Sequence, residues 1–353
     1  MYLLKTLAVS ILSTLTLGTN PSKPSTSYTL NLDYLNKIDQ DIREGEFGKI
    51  SGLVVLNKQG TIIHERYYGF SNRNTINQIS SVSKSITSLL VGVCLEKGFI
   101  KSIDTPIWNY FPEYSAIFKK DTIKTKITIR HLLNQTTGLK WEEWKYPYNY
   151  ASNSLIALLA TESNWIDKFF DLPSDTIPGV VFNYNSLASQ VIAEILSRAS
   201  GIPFEELTKQ YLFTPLSINN YLWDLYPHNK LPAWGGISLT TRDMARLGLL
   251  ILNKGSLGNK QIVSPDWIST STQKCISFNK DIGYGLHWWI SNQCNEENSL
   301  IYAAGYGDQY VYVDPAKEVV VAINSQNFSD YRWPKGIDKL IDSLLSSVVC
   351  SKI

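Results

Sequence analysis

Ser81-Val82-Ser83-Lys84 is the one short pattern in this chain with a ready chemical reading. It stands at the first turn of the best-defined helical stretch, where Ile86, Leu89, Leu90, Val93 and Cys94 form an apolar stripe at helical spacing. Residues i and i+3 share a helix face, so Lys84 can reach the Ser81 hydroxyl. A helix start also leaves backbone N–H groups free to stabilise a developing oxyanion. A serine hydroxyl is a poor nucleophile until a base takes its proton, and a lysine desolvated in a cleft can be neutral enough to do so. Taken alone, Ser-x-x-Lys is weak: it recurs at Ser271–Lys274 and Ser277–Lys280, where no helical stripe follows. The bland reading is a serine-rich helix start followed by an exposed lysine.

A third group comes from Tyr-x-[Asn/Ser], which matches at Tyr34, Tyr150 and Tyr184. Tyr184 is set apart by its context, a loop Pro178-Gly-Val-Val-Phe-Asn-Tyr184-Asn-Ser186 entering a helix over 187–200. Other hydrolase signals are absent. There is no Gly-x-Ser-x-Gly elbow, no His-Glu-x-x-His and no glycine-rich phosphate loop. Histidine occurs at 64, 131, 228 and 287 without metal-ligand spacing, and His64 and His131 read as structural. No metal or cofactor is expected.

These residues need elements to hold them. Residues 31–44 read as an amphipathic helix. The β-rich runs 50–56 and 61–68 are joined by the hairpin signal Asn57-Lys-Gln-Gly60. From about 101 to 232 the chain reads as helices and loops, including a helix over 128–134. A capped helix follows at 242–253, then strands at 285–290, 309–313 and 319–324 and a closing helix at 337–349. Strands at both ends with helices between predict an α/β fold of the α+β type. A mostly antiparallel sheet from 31–100 and 233–353 would be flanked by helices, with a helical subdomain at 101–232 packed against it and a cleft between them.

Composition agrees with an enzyme-sized globular chain. The 353 residues are 44% hydrophobic and 18% charged, which excludes global disorder, and the net charge of +2 excludes a basic nucleic-acid footprint. Four cysteines are too few for a disulfide scaffold; Cys275 and Cys294 could pair in an exported protein, or stay single thiols. Lys5 precedes an uncharged stretch, Thr6–Gly18, of 13 residues. That fits a signal-peptide core of about 7–15 residues better than the roughly 20 of a spanning helix. Residues 1–18 are therefore read as an export signal and 19–30 as a linker, giving a periplasmic or secreted protein without stable membrane insertion. An uncleaved anchor or a buried N-terminal strand is the alternative. The oligomeric state stays open.

With these residues in order, the chain resembles the serine β-lactamase and penicillin-binding-protein superfamily, its class C and esterase branch above all. The resemblance rests on Ser81-x-x-Lys84, Tyr184-x-Ser186 and a glycine-bearing strand near the C-terminus. Lesser matches are Ile127–Leu139, Gly235–Gly248, Tyr284–Trp289 and Gly305–Tyr310 with Asp314-Pro315. It is similar over roughly residues 30–345, and most to the subgroup with 6-aminohexanoate-dimer hydrolase and related esterases. The resemblance implies that Ser81 is the acylated nucleophile, Lys84 its proton acceptor and Tyr184 a proton carrier that also activates water. The backbone N–H groups of Ser81 and Tyr306 would form the oxyanion hole. Ser186 stands where many relatives have Asn and would bond Lys84 or the substrate.

Two departures narrow the substrate. Where penicillin-recognising members carry Lys or His, Tyr302-Ala303-Ala304-Gly305 has Ala303, which removes a charge-assisted contact of roughly 1.5–3 kcal/mol to a carboxylate. Asp308 stands where relatives often have Gly; lining the cleft it would disfavour anions, and otherwise it is a solvated turn residue. Trp141, Trp144, Trp234 and Trp288 fall in or beside cleft-bordering segments, so they could form an apolar wall, or pack in the core. The expected activity is hydrolysis of small esters or amides through a Ser81 acyl-enzyme. The alternatives are a D,D-peptidase or β-lactamase, and a catalytically silent ligand-binding relative.

Overall fold

The computed structural model describes residues 26–226, 231–291, 299–328 and 336–352. An antiparallel eight-stranded sheet carries the fold. In spatial order its strands are Ile62–Tyr67, Ile50–Asn57, Val319–Ser325, Gln309–Asp314, Leu300–Gly305, Trp289–Ser291, Ile282–Tyr284 and Ile276–Ser277. Both chain ends feed one sheet, because Ile50–Asn57 pairs directly with Val319–Ser325 in the register Val55↔Val321. Every residue of Ile50–Asn57 is buried, as a strand covered on both faces requires. The edge strand Ile62–Tyr67 is exposed at Ile62 and Arg66 and buried at His64.

One face packs on the helices Leu32–Glu44 and Ile337–Ser347 through Leu35, Ile38, Ile42, Leu340 and Leu344. The other face meets the helices Val82–Glu96 and Thr241–Leu252 and, through them, the helices of the middle of the chain. Leu32–Glu44 is capped by the Asn31 side chain and ends at Gly45 with φ 85°. A second, three-stranded sheet joins Ile76–Gln78 to Ile237–Thr240 and Leu222–Trp223. It ties the segment just before Ser81 to the return from the helical region.

Three local readings change. The linker expected over 19–30 contains a strand, Thr26–Leu30, which pairs with Val348–Lys352. The closing helix accordingly stops at Ser347. Ser/Thr-rich composition suggested a linker; the pairing partner lies at the far end of the chain, where local composition cannot show it. Of the strand expected at 285–290, residues 285–288 form a turn between Ile282–Tyr284 and Trp289–Ser291, and only 289–290 are in a strand. There the N–H groups of Leu286 and His287 donate to Ser271 and Leu133 carbonyls, not to a neighbouring strand. Residues 1–25, which hold the expected signal, lie outside the described residues, as do His228 and Cys294. Cys275 is a free, exposed thiol.

Candidate active site

Ser81 stands where a strained turn enters the helix Val82–Glu96. Ser80 has φ 48°, in the left-handed region, and Ile79 N–H is held by the Ile237 carbonyl at 2.8 Å. Ser81 occupies the N-cap position, yet its side chain makes no capping bond. A serine there normally serves the helix; this one is left for other partners. Gly305, the last residue of its strand, backs onto the same turn. A Cβ at Gly305 would lie 2.3 Å from the Ile79 carbonyl oxygen and 3.2 Å from Ser80 Cβ, so only glycine lets that strand approach. Tyr306 follows directly, beside the serine turn.

The helix Val82–Glu96 is buried from Val82 to Cys94, and Lys84 is buried with it. Its Nζ lies 3.0 Å from Ser81 Oγ, 3.0 Å from Ser186 Oγ and 3.3 Å from the Trp234 carbonyl oxygen. Burial pushes its pKa down to about 8, against an opposing pull from Glu143. Tyr184 is also buried, with its side chain facing Ser81 and Lys84; burial, with Glu143 nearby, holds its pKa well above the ordinary tyrosine value. Gln135 fixes Tyr184 from both sides: its carbonyl accepts from Asn183 N–H at 2.8 Å and its side-chain oxygen accepts from Asn185 N–H at 2.5 Å. The structure therefore brings Ser81, Lys84 and Ser186 into one hydrogen-bonded group, with Tyr184 facing it. Serine–base contact with a tyrosine beside the serine is the arrangement needed to deprotonate a nucleophile and to move that proton onward.

One member of the group was missed in the sequence. Glu143 is buried at 1% exposure. Its Oε1 accepts from Ser186 Oγ at 2.7 Å and Tyr148 Oη at 2.9 Å; its Oε2 accepts from Ser186 N–H at 2.8 Å and Trp141 Nε1 at 2.8 Å. The loop that carries it is pinned by Asn153, whose amide donates to the Glu143 and Tyr146 carbonyls. His287 lies below, between two helices: its carbonyl accepts from Ser85 Oγ, and its Nε2 is 3.0 Å from Ser189 Oγ. Burial, helped by Lys84, pushes its pKa down to about 3, so it is a neutral brace. His131 is structural too, closing a capping box with Thr128.

The tryptophans divide. Trp144 is half-buried and stacks on Tyr184. Phe182 and Phe278 pack beside it, Phe278 edge-on at 5.7 Å. Trp141 is buried and serves Glu143 with its ring nitrogen, so it is not a wall of the cleft. The Trp234 ring packs against Trp165 at 4.6 Å, and the residue reaches the site through its carbonyl. Trp288 is buried in the core. Asp308 is neither a cleft wall nor solvated: it is 6% exposed, sits at φ 64° and accepts from Asn327 Nδ2 at 2.6 Å. Asn327 also holds Lys49 N–H, so Asp308 belongs to a tie between loops. Ala303 is buried in its strand.

Comparison with known proteins places this geometry. The sequence pattern of the Beta-lactamase family matches residues 38–333. The chain is 22% identical to a 6-aminohexanoate-dimer hydrolase of Paenarthrobacter ureafaciens, over 79% of this chain and 74% of that protein. It is 19% identical to penicillin-binding protein 4* of Bacillus subtilis, over 81% and 71%. A solved structure described as a 6-aminohexanoate-dimer hydrolase of Bacillus anthracis superposes with a TM-score of 0.73 at 20% identity. It covers 88% of this chain and 80% of that one, which shows the shared fold.

Proposed function

The chain belongs to the Beta-lactamase family, whose members are serine hydrolases of ester or amide bonds, and from that premise we propose that it hydrolyses small esters or amides through an acyl-enzyme on Ser81. The observation that carries this reading is the 3.0 Å approach of the buried Lys84 Nζ to Ser81 Oγ. Neutral Lys84 accepts the Ser81 proton as Oγ attacks the carbonyl carbon. The backbone N–H groups of Ser81 and Tyr306 receive the oxyanion, and the proton taken up by Lys84 passes through Tyr184 to the leaving group, so both side chains are restored. In the second half the Tyr184–Lys84 pair takes a proton from water as its oxygen adds to the acyl carbon, and returns that proton to Ser81 Oγ as the acyl bond to Oγ breaks, which releases the acid.

A neutral acyl group suits the site better than an anionic one. Ala303 supplies no cation, and Trp144 covers Tyr184 with apolar surface that Phe182 and Phe278 extend. The likeness to a penicillin-binding protein supports a second reading, D,D-peptidase or β-lactamase. Faster turnover of a chromogenic cephalosporin than of a short nitrophenyl ester would select it. We further propose export of the chain by residues 1–18 to the periplasm or medium, tested by the N-terminal sequence of the mature protein. No helix among the described residues is long and apolar enough to cross a membrane.

Treatment of the folded protein with a fluorophosphonate probe, followed by mass mapping, tests the mechanism. The adduct is expected on Ser81; a folded protein that carries none there overturns the reading.

A further inference from the structure

Ser186 occupies the point where the reacting lysine meets a buried carboxylate. Its Oγ touches both Lys84 Nζ, at 3.0 Å, and Glu143 Oε1, at 2.7 Å. A hydroxyl has one proton to give. Glu143 Oε2 is surrounded by two fixed N–H donors, from Ser186 and Trp141, and Oε1 by two hydroxyls, from Ser186 and Tyr148. That is the surrounding of an acceptor, so the Ser186 proton points to Glu143. Its oxygen can then only accept from Lys84.

The consequence falls on Lys84. One N–H goes to Ser186 Oγ and one to the Trp234 carbonyl, which can also only accept. The remaining direction of the amine faces Ser81 Oγ. In the neutral amine that direction holds the lone pair.

We propose that Glu143 is a positioning residue for acyl transfer: by fixing the Ser186 hydroxyl as its own donor, it turns the Lys84 lone pair toward Ser81. The role depends on the acyl-enzyme reading above. Nothing in the local sequence marks it, since Glu142 next door lies at the surface, paired with Lys145.

Glu143→Gln is a direct test, because it is isosteric and the two hydroxyls can turn. With the amide oxygen kept on the two N–H donors, its nitrogen faces Ser186 and Tyr148, which can both rotate to accept. Ser186 is then free to donate to Lys84 and to compete with Ser81 for the lone pair. We expect kcat on a short nitrophenyl ester to fall about 10- to 100-fold with KM little changed. The groups facing Lys84 are Glu143 from its loop, Tyr184 and Ser186 from the helix start, and His287 from the turn between strands. Of these Glu143 is the one that favours the charged amine, so its removal must move the acid limb of kcat/KM to lower pH.

Ser186→Ala reads the relay from its other end and serves if Glu143→Gln does not fold. It strips the ammonium of an acceptor, so it should lower kcat and move the acid limb the same way. The double variant should lose no more than the worse single one. Wild-type kcat in either variant, an unmoved acid limb, or additive losses overturns the proposal. The two readings fail separately: an unlabelled Ser81 removes the acyl-enzyme, whereas a labelled wild type with a kinetically silent Glu143→Gln removes only the role of Glu143.

Discussion

Trp144 lies flat on Tyr184, with ring centroids 4.3 Å apart and planes 17° from parallel. Lys84 Nζ sits 4.8 Å from the centre of the same tyrosine ring. The tyrosine side chain that faces Ser81 is therefore aimed by contacts on its ring as well as by the Gln135 grip on its backbone. Trp144 in turn stacks on Trp289 of the central sheet, so the aim is referred to that sheet.

Trp144→Ala should accordingly reduce kcat with a smaller effect on folding. An aromatic pair contributes about 0.5–1.5 kcal/mol beyond buried area, which corresponds to roughly a 2- to 10-fold loss. Trp144→Phe should retain most activity. Steady-state kinetics with thermal denaturation of both variants checks this, and equal kcat in wild type and Trp144→Ala would count against the packing role.

The pH dependence follows from Lys84. Its amine must be neutral to accept the Ser81 proton, and its pKa lies at about 8. Activity should thus rise with pH and level off above about 8, as kcat/KM for the free enzyme reports. A buried lysine with a depressed pKa also resists protonation in the folded state. Between about 8 and the ordinary lysine value the unfolded chain binds the extra proton, so this group makes stability rise with pH there. Lys84→Ala should abolish the limb and lower kcat by about 10²- to 10⁴-fold. A profile flat from acid to alkali would be inconsistent with lysine as the base.

Gly305→Ala places a methyl group 2.3 Å from the Ile79 carbonyl oxygen. Backbone cannot yield as a flexible side chain does. The strand must retreat from the serine turn, at a cost of about 1–3 kcal/mol in stability. Displacing Tyr306 from that turn should lower kcat by about 10²-fold. Calorimetry and kinetics on this variant test the fit together; a fully active, equally stable Gly305→Ala would show that the close approach is not needed.

Asp308→Ala discriminates a substrate contact from a structural tie. Loss of its buried bond to Asn327 should cost about 1–3 kcal/mol, seen as a lower Tm. KM should be the same for amine-bearing and neutral esters before and after. A selective rise in KM for the amine-bearing ester would restore Asp308 to the cleft.

How much could be read in advance follows from the range of each signal. The meeting of Ser81 and Lys84 was legible because i and i+3 share a helix face, but spacing alone left a bland reading open, and it was the order of Ser81-x-x-Lys84 and Tyr184-x-Ser186, as a family resemblance, that singled them out. The antiparallel sheet from both ends was legible from where the β-rich runs fall. Glu143 was not, since Glu142 and Glu143 are identical in type and adjacent, and the Ser186 and Asn153 partners that hold Glu143 inward lie elsewhere in the chain. Asp308 was misread for the same reason: its partner Asn327 is close in space and not beside it in the chain. The strand at Thr26–Leu30 needed Val348–Lys352, at the other terminus, to exist at all.

The direct pairing of Ile50–Asn57 with Val319–Ser325 also has a temporal meaning. The turn bearing Ser81 emerges early in synthesis, while the strand that ends at Gly305 and backs onto it emerges near the end. Contacts this distant along the chain form late and slowly. A chain still on the ribosome therefore holds Ser81 and Lys84 without the strand that backs onto their turn. On the proposed acyl-enzyme reading, the serine turn gains its backing strand only after residue 305 has been made.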